Sequence, residues 1–158
     1  MKRKSFEDME CPIARTLERV GEWWSILILR DAVRGSTRFD EFERNLGISP
    51  NILSRRLATL VENGFLEKRL YSVTPPRMEY LLTERGKAFR SVLFALTAFG
   101  NDHFADDGVA LQVVNKRTGR PAKLVVVDAR TGKPATGPNF ELAPGPAASN
   151  AIRGKFGA

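Results

Sequence analysis

The stretch that decides the fold is residues 38–82, RFDEFERNLGISPNILSRRLATLVENGFLEKRLYSVTPPRMEYLL. It opens with Phe39, Phe42 and Leu46 at i, i+3 and i+7, one apolar stripe on a helix that leaves Asp40, Glu41, Glu43 and Arg44 to solvent. Gly47 is placed to end that helix in the left-handed conformation. A second helix is predicted over 49–63. Ser49 is a good N-cap, Pro50 stands where a missing N–H costs nothing, and Gly64 supplies the stop. Leu53, Leu57, Leu60 and Val61 make its buried face. Two strands follow, about 65–71 and 77–82, the second alternating Met78, Tyr80 and Leu82 against Arg77, Glu79 and Leu81. The two prolines in 72–76 remove donors and stiffen the tip between them.

Helix, turn, helix and hairpin is the plan of a winged-helix DNA reader. At about 100° per residue, the face of the second helix opposite the leucines carries Asn51, Arg55, Ala58, Thr59 and Glu62, with Ile52 and Arg56 on its flank. Arg can hold guanine O6 and N7 bidentately, Asn and Ser can reach adenine edges or phosphate, and a helix N-terminus favours a phosphate oxygen. The candidate base and backbone contacts are Ser49, Asn51, Ser54, Arg55 and Arg56, with Arg38 ahead of the first helix. Lys68, Arg69 and Arg77 flank the hairpin tip and suit the sugar-phosphate wall or the adjoining minor groove. Taken alone, such a helix is an ordinary amphipathic one with a solvated charged face. The basic hairpin immediately after it shifts the reading towards DNA.

The chain closely resembles the HxlR-type winged-helix transcriptional regulators, relatives of the MarR-type regulators. The resemblance is carried by Cys11-Pro12, GEWWSILILRDAVRG, RFDEF, GIS, the LxxLxENGFLEKR run and TPPRMEYLLTERG, in family order and spacing across about residues 11–100. It implies a homodimeric bacterial regulator, mainly α within an α+β class, usually a repressor although activators occur, with no catalytic residues and no cofactor. The family's GGKW stands here as Gly21-Glu22-Trp23-Trp24, a departure expected to be of little consequence. Some members sense oxidants or electrophiles through a cysteine at the position of Cys11, so redox control is a reading to set beside a capping or packed cysteine. Any disulfide must then join two subunits or an outside thiol, because Cys11 is the one cysteine.

The formal charge of +7 points to nucleic acid less directly than it first suggests. Residues 1–107 hold 17 Lys and Arg against 16 Asp and Glu, whereas residues 108–158 hold 8 against 2. Local placement on the second helix and hairpin carries the DNA reading instead. A 42% hydrophobic share is enough for a core, and neither a membrane-length apolar run nor a secretion signal is present, so a cytoplasmic location is expected. One histidine and one cysteine cannot make the usual zinc cluster, and there is no phosphate loop or Ser/His/Asp set. Set against a dimer reading a palindromic operator in double-stranded DNA is a different class, a winged-helix module that docks proteins and has no operator. Any small-molecule effector is left open.

Outside the central stretch, residues 1–10 are expected to be a mobile arm. A helix should start at Cys11-Pro12, with Ile13, Leu17 and Val20 as its apolar line, and a core helix should follow from Trp23 to Val33. After Thr83 a long helix should carry Phe89, Val92, Leu93, Leu96 and Phe99, more apolar surface than one small core needs; these five are the candidate dimer contacts, and the winged-helix domain is taken as 11–107. In 108–142 the phrase Arg-Thr-Gly-Arg-Pro at 117 returns as Arg-Thr-Gly-Lys-Pro at 130, which predicts a small β-hairpin extension of two or three strands. Residues 143–158, rich in Pro, Gly, Ala and Ser, are expected to be disordered.

Overall fold

The computed structural model describes residues 5, 6 and 8–157 of the chain. The elements are α1 (Pro12–Val20), α2 (Trp23–Arg34), α3 (Phe39–Leu46), α4 (Pro50–Glu62), β1 (Leu66–Val73), β2 (Pro76–Leu82), α5 (Glu84–Ala88), α6 (Arg90–His103) and α7 (Asn150–Lys155). Two compact units result, Met1–Leu93 and Phe94–Ala158, and the division falls inside α6.

The first unit is a winged helix-turn-helix built on one core. Val20, Ile28, Leu29, Phe42, Ile48, Leu53, Leu57, Leu60, Phe65 and Leu66 are buried together, and Phe65 meets Phe89 edge to face at 5.8 Å. The leucine face read from the sequence is thus the inward face of α4: Leu53, Leu57 and Leu60 have no exposure at all. Gly47 ends α3 at φ 60°, as its position demanded. Ser49 has the extended backbone of an N-cap, but its hydroxyl bonds no helix N–H, so Pro50 at the first position is the stronger local start signal.

The wing is an antiparallel pair with Leu66 opposite Leu82 and Leu70 opposite Met78. The strands run closer to the tip than predicted, to Val73 and from Pro76. A bulge between Leu70 and Ser72 leaves Tyr71 without a partner across the ladder. A further contact joins the wing to the segment before α3: Arg38 bridges Glu79, and Tyr80 N–H donates to the Thr37 carbonyl at 2.7 Å. At the far end the Thr83 hydroxyl donates to the Gly64 carbonyl at 2.6 Å and accepts the Gly86 N–H at 3.1 Å, tying the turn after α4 to the start of α5.

Several expectations change. The single helix after Thr83 breaks at Phe89, which enters the core with Leu93; both are 7% exposed. Trp23, read as part of the core line of α2, is 75% exposed, while Trp24 packs against the core. Asp31 is buried inside α2 and held by Arg30 at 2.8 Å. Part of the N-terminal arm is held, with Phe6 N–H donating to Glu18 at 2.9 Å; residues 1–4 and 7 of that arm lie outside the described residues.

In the second unit the expected hairpin strands are reduced to two tight turns, each closed by one bridge, Val114 with Pro121 and Val127 with Pro134. The tail expected to be disordered holds α7, with the Ser149 hydroxyl accepting from Ile152 N–H. Among the described residues no helix is long and apolar enough to cross a membrane, and no group of three His, Cys, Asp or Glu could hold a metal.

Candidate nucleic-acid interface

The outer face of α4 carries Asn51, Ser54 and Arg55, all exposed and all without a side-chain partner among the described residues; Ser49, at the cap, is likewise exposed. The reason is the geometry of the helix. With Leu53, Leu57 and Leu60 locked into the core, positions a half-turn away must point outward.

Arg56 is placed differently. Its Nη2 donates to Glu22 Oε1 at 2.5 Å, with both side chains nearly three-quarters buried. Glu22 is one of two positions, with Trp23, at which the chain departs from the family's GGKW, and its carboxylate claims an arginine of α4. The pair is incompletely satisfied, since Glu22 Oε2 and Arg56 Nε are buried without partners among the described residues. Nothing local announced this contact, which spans 34 residues.

On the wing, Lys68 and Arg77 are exposed and unpaired among the described residues. Arg69 is not, because Nε and Nη2 both lie 2.9 Å from Glu79 Oε1 across the ladder. Arg38 stacks on the ring of Tyr71 with its guanidinium carbon 4.7 Å from the centroid. The bulge frees Tyr71 for this contact, and neither the bulge nor the stacking partner was visible in the sequence. Together with Phe39, Asp40, Arg77 and Met78 they line a shallow cleft of about 380 Å³ between the start of α3 and the wing. Glu41 fixes that start by accepting from Thr37 N–H at 2.8 Å and Arg38 N–H at 3.0 Å. These bonds, first that from Arg38 and then that from Thr37, hold the Glu41 carboxyl below the ordinary carboxylate range.

This arrangement has relatives. Residues 19–107 match the HxlR-like helix-turn-helix family. The chain belongs to that family. It is 36% identical over 135 residues to the HTH-type transcriptional regulator Rv3095 of Mycobacterium tuberculosis, itself uncharacterised, with 85% of each chain covered. Two solved structures are similar over most of their length. A proposed transcription factor of Pseudomonas aeruginosa, PA1374, shares 49% identity at a TM-score of 0.66, covering 92% of this chain and 99% of its own. PA1607, also a proposed transcription factor, shares 36% at a TM-score of 0.79, covering 89% and 99%. Both likenesses run past residue 107, where the family match ends. By contrast, the reduced form of the redox regulator HypR matches at 27% identity and a TM-score of 0.57 over 60% of this chain and 95% of that one. The chain is a DNA-binding HTH transcriptional regulator of the HxlR family, a family of regulators and not of enzymes.

Proposed function

We propose that this HxlR-family regulator is a homodimeric repressor that reads a palindromic operator with α4 and steadies itself on the duplex with the wing. The observation that carries the reading is the unpaired set Asn51, Ser54 and Arg55 on one face of α4, beside the unpaired wing cations Lys68 and Arg77. A bidentate Arg and a bidentate Asn are the side chains that separate guanine and adenine from other bases in the major groove. Arg56 is withdrawn from the contact set and Arg69 is reduced in it, because each already holds a carboxylate.

Dimerisation rests on apolar surface that the chain leaves uncovered. Val92, Leu96 and Phe99 on α6 are 42%, 48% and 56% exposed, and Ile13 on α1 is 62% exposed. Phe89 and Leu93 belong to the chain's own core and drop out of the interface. A two-fold dimer places its paired helices about 34–36 Å apart, one turn of DNA. Selecting bound duplexes from a random pool tests the whole reading. An enriched inverted repeat is the expected result, and no enrichment would favour the protein-docking alternative.

Redox control through Cys11 is a second reading. The thiol is half-buried at the N-cap of α1 and makes no capping bond, and the similar HypR is a redox regulator. Diamide treatment should weaken operator binding by the native chain and leave Cys11→Ser unchanged. Unaltered binding by a fully modified native chain would make Cys11 structural.

A further inference from the structure

The thirteen-residue repeat of the extension is a repeat of structure as well as of words. In the first turn Asn115 N–H donates to the Arg120 carbonyl at 2.9 Å and Ala122 N–H to Val113 at 2.8 Å; in the second, Asp128 N–H donates to Lys133 at 2.9 Å and Ala135 N–H to Val126 at 2.8 Å. Gly119 and Gly132 both sit at φ 68°, the left-handed conformation that lets each turn close. The side chain at the first position braces each loop. Asn115 Oδ1 accepts from Arg117 N–H at 2.9 Å, and Asp128 Oδ1 accepts from Arg130 N–H at 3.0 Å. Two stiff loops therefore carry a basic side chain at equivalent places, Arg117 with Arg130 and Arg120 with Lys133.

These cations lack internal partners. Lys116, Arg117, Arg120, Lys123, Arg130 and Lys133 are all exposed, and none pairs with a carboxylate among the described residues. The acid nearest them is occupied otherwise: Asp128 spends one oxygen on the Arg130 backbone and the other on the Thr131 hydroxyl at 2.8 Å. A surface that serves solubility alone interleaves both signs. This one carries six cations against the single carboxylate of Asp128 and is displayed on braced loops, so little loop freedom is lost when it meets a fixed row of negative charge.

We infer that the tandem turns of residues 113–135 are a second DNA contact, gripping duplex phosphates outside the bases read by α4. The inference rests on the DNA-reading assignment above and adds to it a sequence-independent grip. Duplex DNA is favoured over other polyanions because the turns are covalently joined to a DNA reader. Once α4 is seated, phosphates lie at high effective concentration, and contacts too weak to bind alone become effective. The contribution should appear as counterion release, about 0.9 in the slope of log affinity against log salt for each phosphate neutralised.

The test uses the full chain and its selected operator, an unrelated duplex and a single-stranded RNA of equal length, titrated across a salt series. For Lys116→Gln/Arg117→Gln/Arg120→Gln, affinity should fall at least on the order of tenfold on both duplexes alike, with the salt slope of the dimer smaller by up to about 5, from three cations in each subunit. Arg117→Lys/Arg120→Lys should keep the native slope, because charge and not loop shape is at issue. If the native chain binds operator and the triple variant keeps its slope, the second contact is wrong and the DNA-reading assignment stands. A loss confined to RNA would overturn duplex DNA as the partner. Failure of the native chain to bind any duplex would overturn both readings together.

Discussion

Arg55 and Arg56 are neighbours in the chain but have different partners. Arg55 faces solvent with its guanidinium unused, whereas Arg56 lies against Glu22 of the α1–α2 junction. Substituting each in turn separates reading from folding. Arg55→Ala should cost about 1–3 kcal/mol on the operator and nothing on random duplex, which competition binding measures. Equal losses on both would remove Arg55 from base contact. Arg56→Ala should instead destabilise the fold by about 1–2 kcal/mol in urea, between the values for exposed and buried pairs, because it strands the largely buried Glu22 carboxylate. Glu41 adds a pH signature. Its folded pKa is depressed, so its contribution is complete above the ordinary carboxylate value and disappears as pH falls through the lower folded one. Glu41→Gln should therefore be less stable than the native chain by about 1 kcal/mol at neutral pH, as for a lost cap, and the gap should close in acid. A gap independent of pH would mean that charge on Glu41 is irrelevant.

The wing is aimed by contacts at both of its ends. Thr37 and Arg38 pair with β2 before α3 begins, and Thr83 stitches Gly64 to Gly86 after β2 ends. Lys68 and Arg77 are consequently held on the same rigid body as α4, the condition for two elements to contact one duplex without an ordering cost. Gly86 is the tightest point. A Cβ there would run into the Phe65 carbonyl and come within 2.9 Å of Leu82 Cδ2, and backbone cannot yield as a flexible side chain can. Gly86→Ala should lower stability by about 1–3 kcal/mol, as overpacking does, with the midpoint of urea unfolding as the measure. A midpoint equal to the native one would show that α5 can shift freely away from the wing.

At the scale of the whole molecule the question is what covers α6. Val92, Leu96 and Phe99 recur on one side of the helix and remain exposed, in a chain that buries Phe89 and Leu93 from the same stretch. A charge placed among them has no water-free partner and should disrupt a dimer without touching the core. Leu96→Glu is expected to sediment as a folded monomer and to lose most operator affinity, since each half-site alone supplies half of the contacts. A folded dimer in that experiment would move the interface off α6.

What the sequence determined by itself was local. Helical spacing, Pro50 at a helix start, Gly47 at a helix end and period-two alternation in β2 act within a few residues, so α3, α4 and the wing could be read from 38–82 directly, and the exposed set Asn51, Ser54 and Arg55 came with them. The tertiary structure decided whatever depends on distant neighbours. It tied Arg56 to Glu22 across 34 residues, set Arg69 against Glu79, and gave Phe89 and Leu93 to the chain's own core. It also bent the helix after Thr83 at Phe89 and shrank the expected strands of the extension to single bridges. Apolar spacing states that a face will be buried; which surface buries it depends on the elements brought against it. A side chain's charge is likewise known from its type, but its availability to a ligand depends on what the fold has already placed beside it.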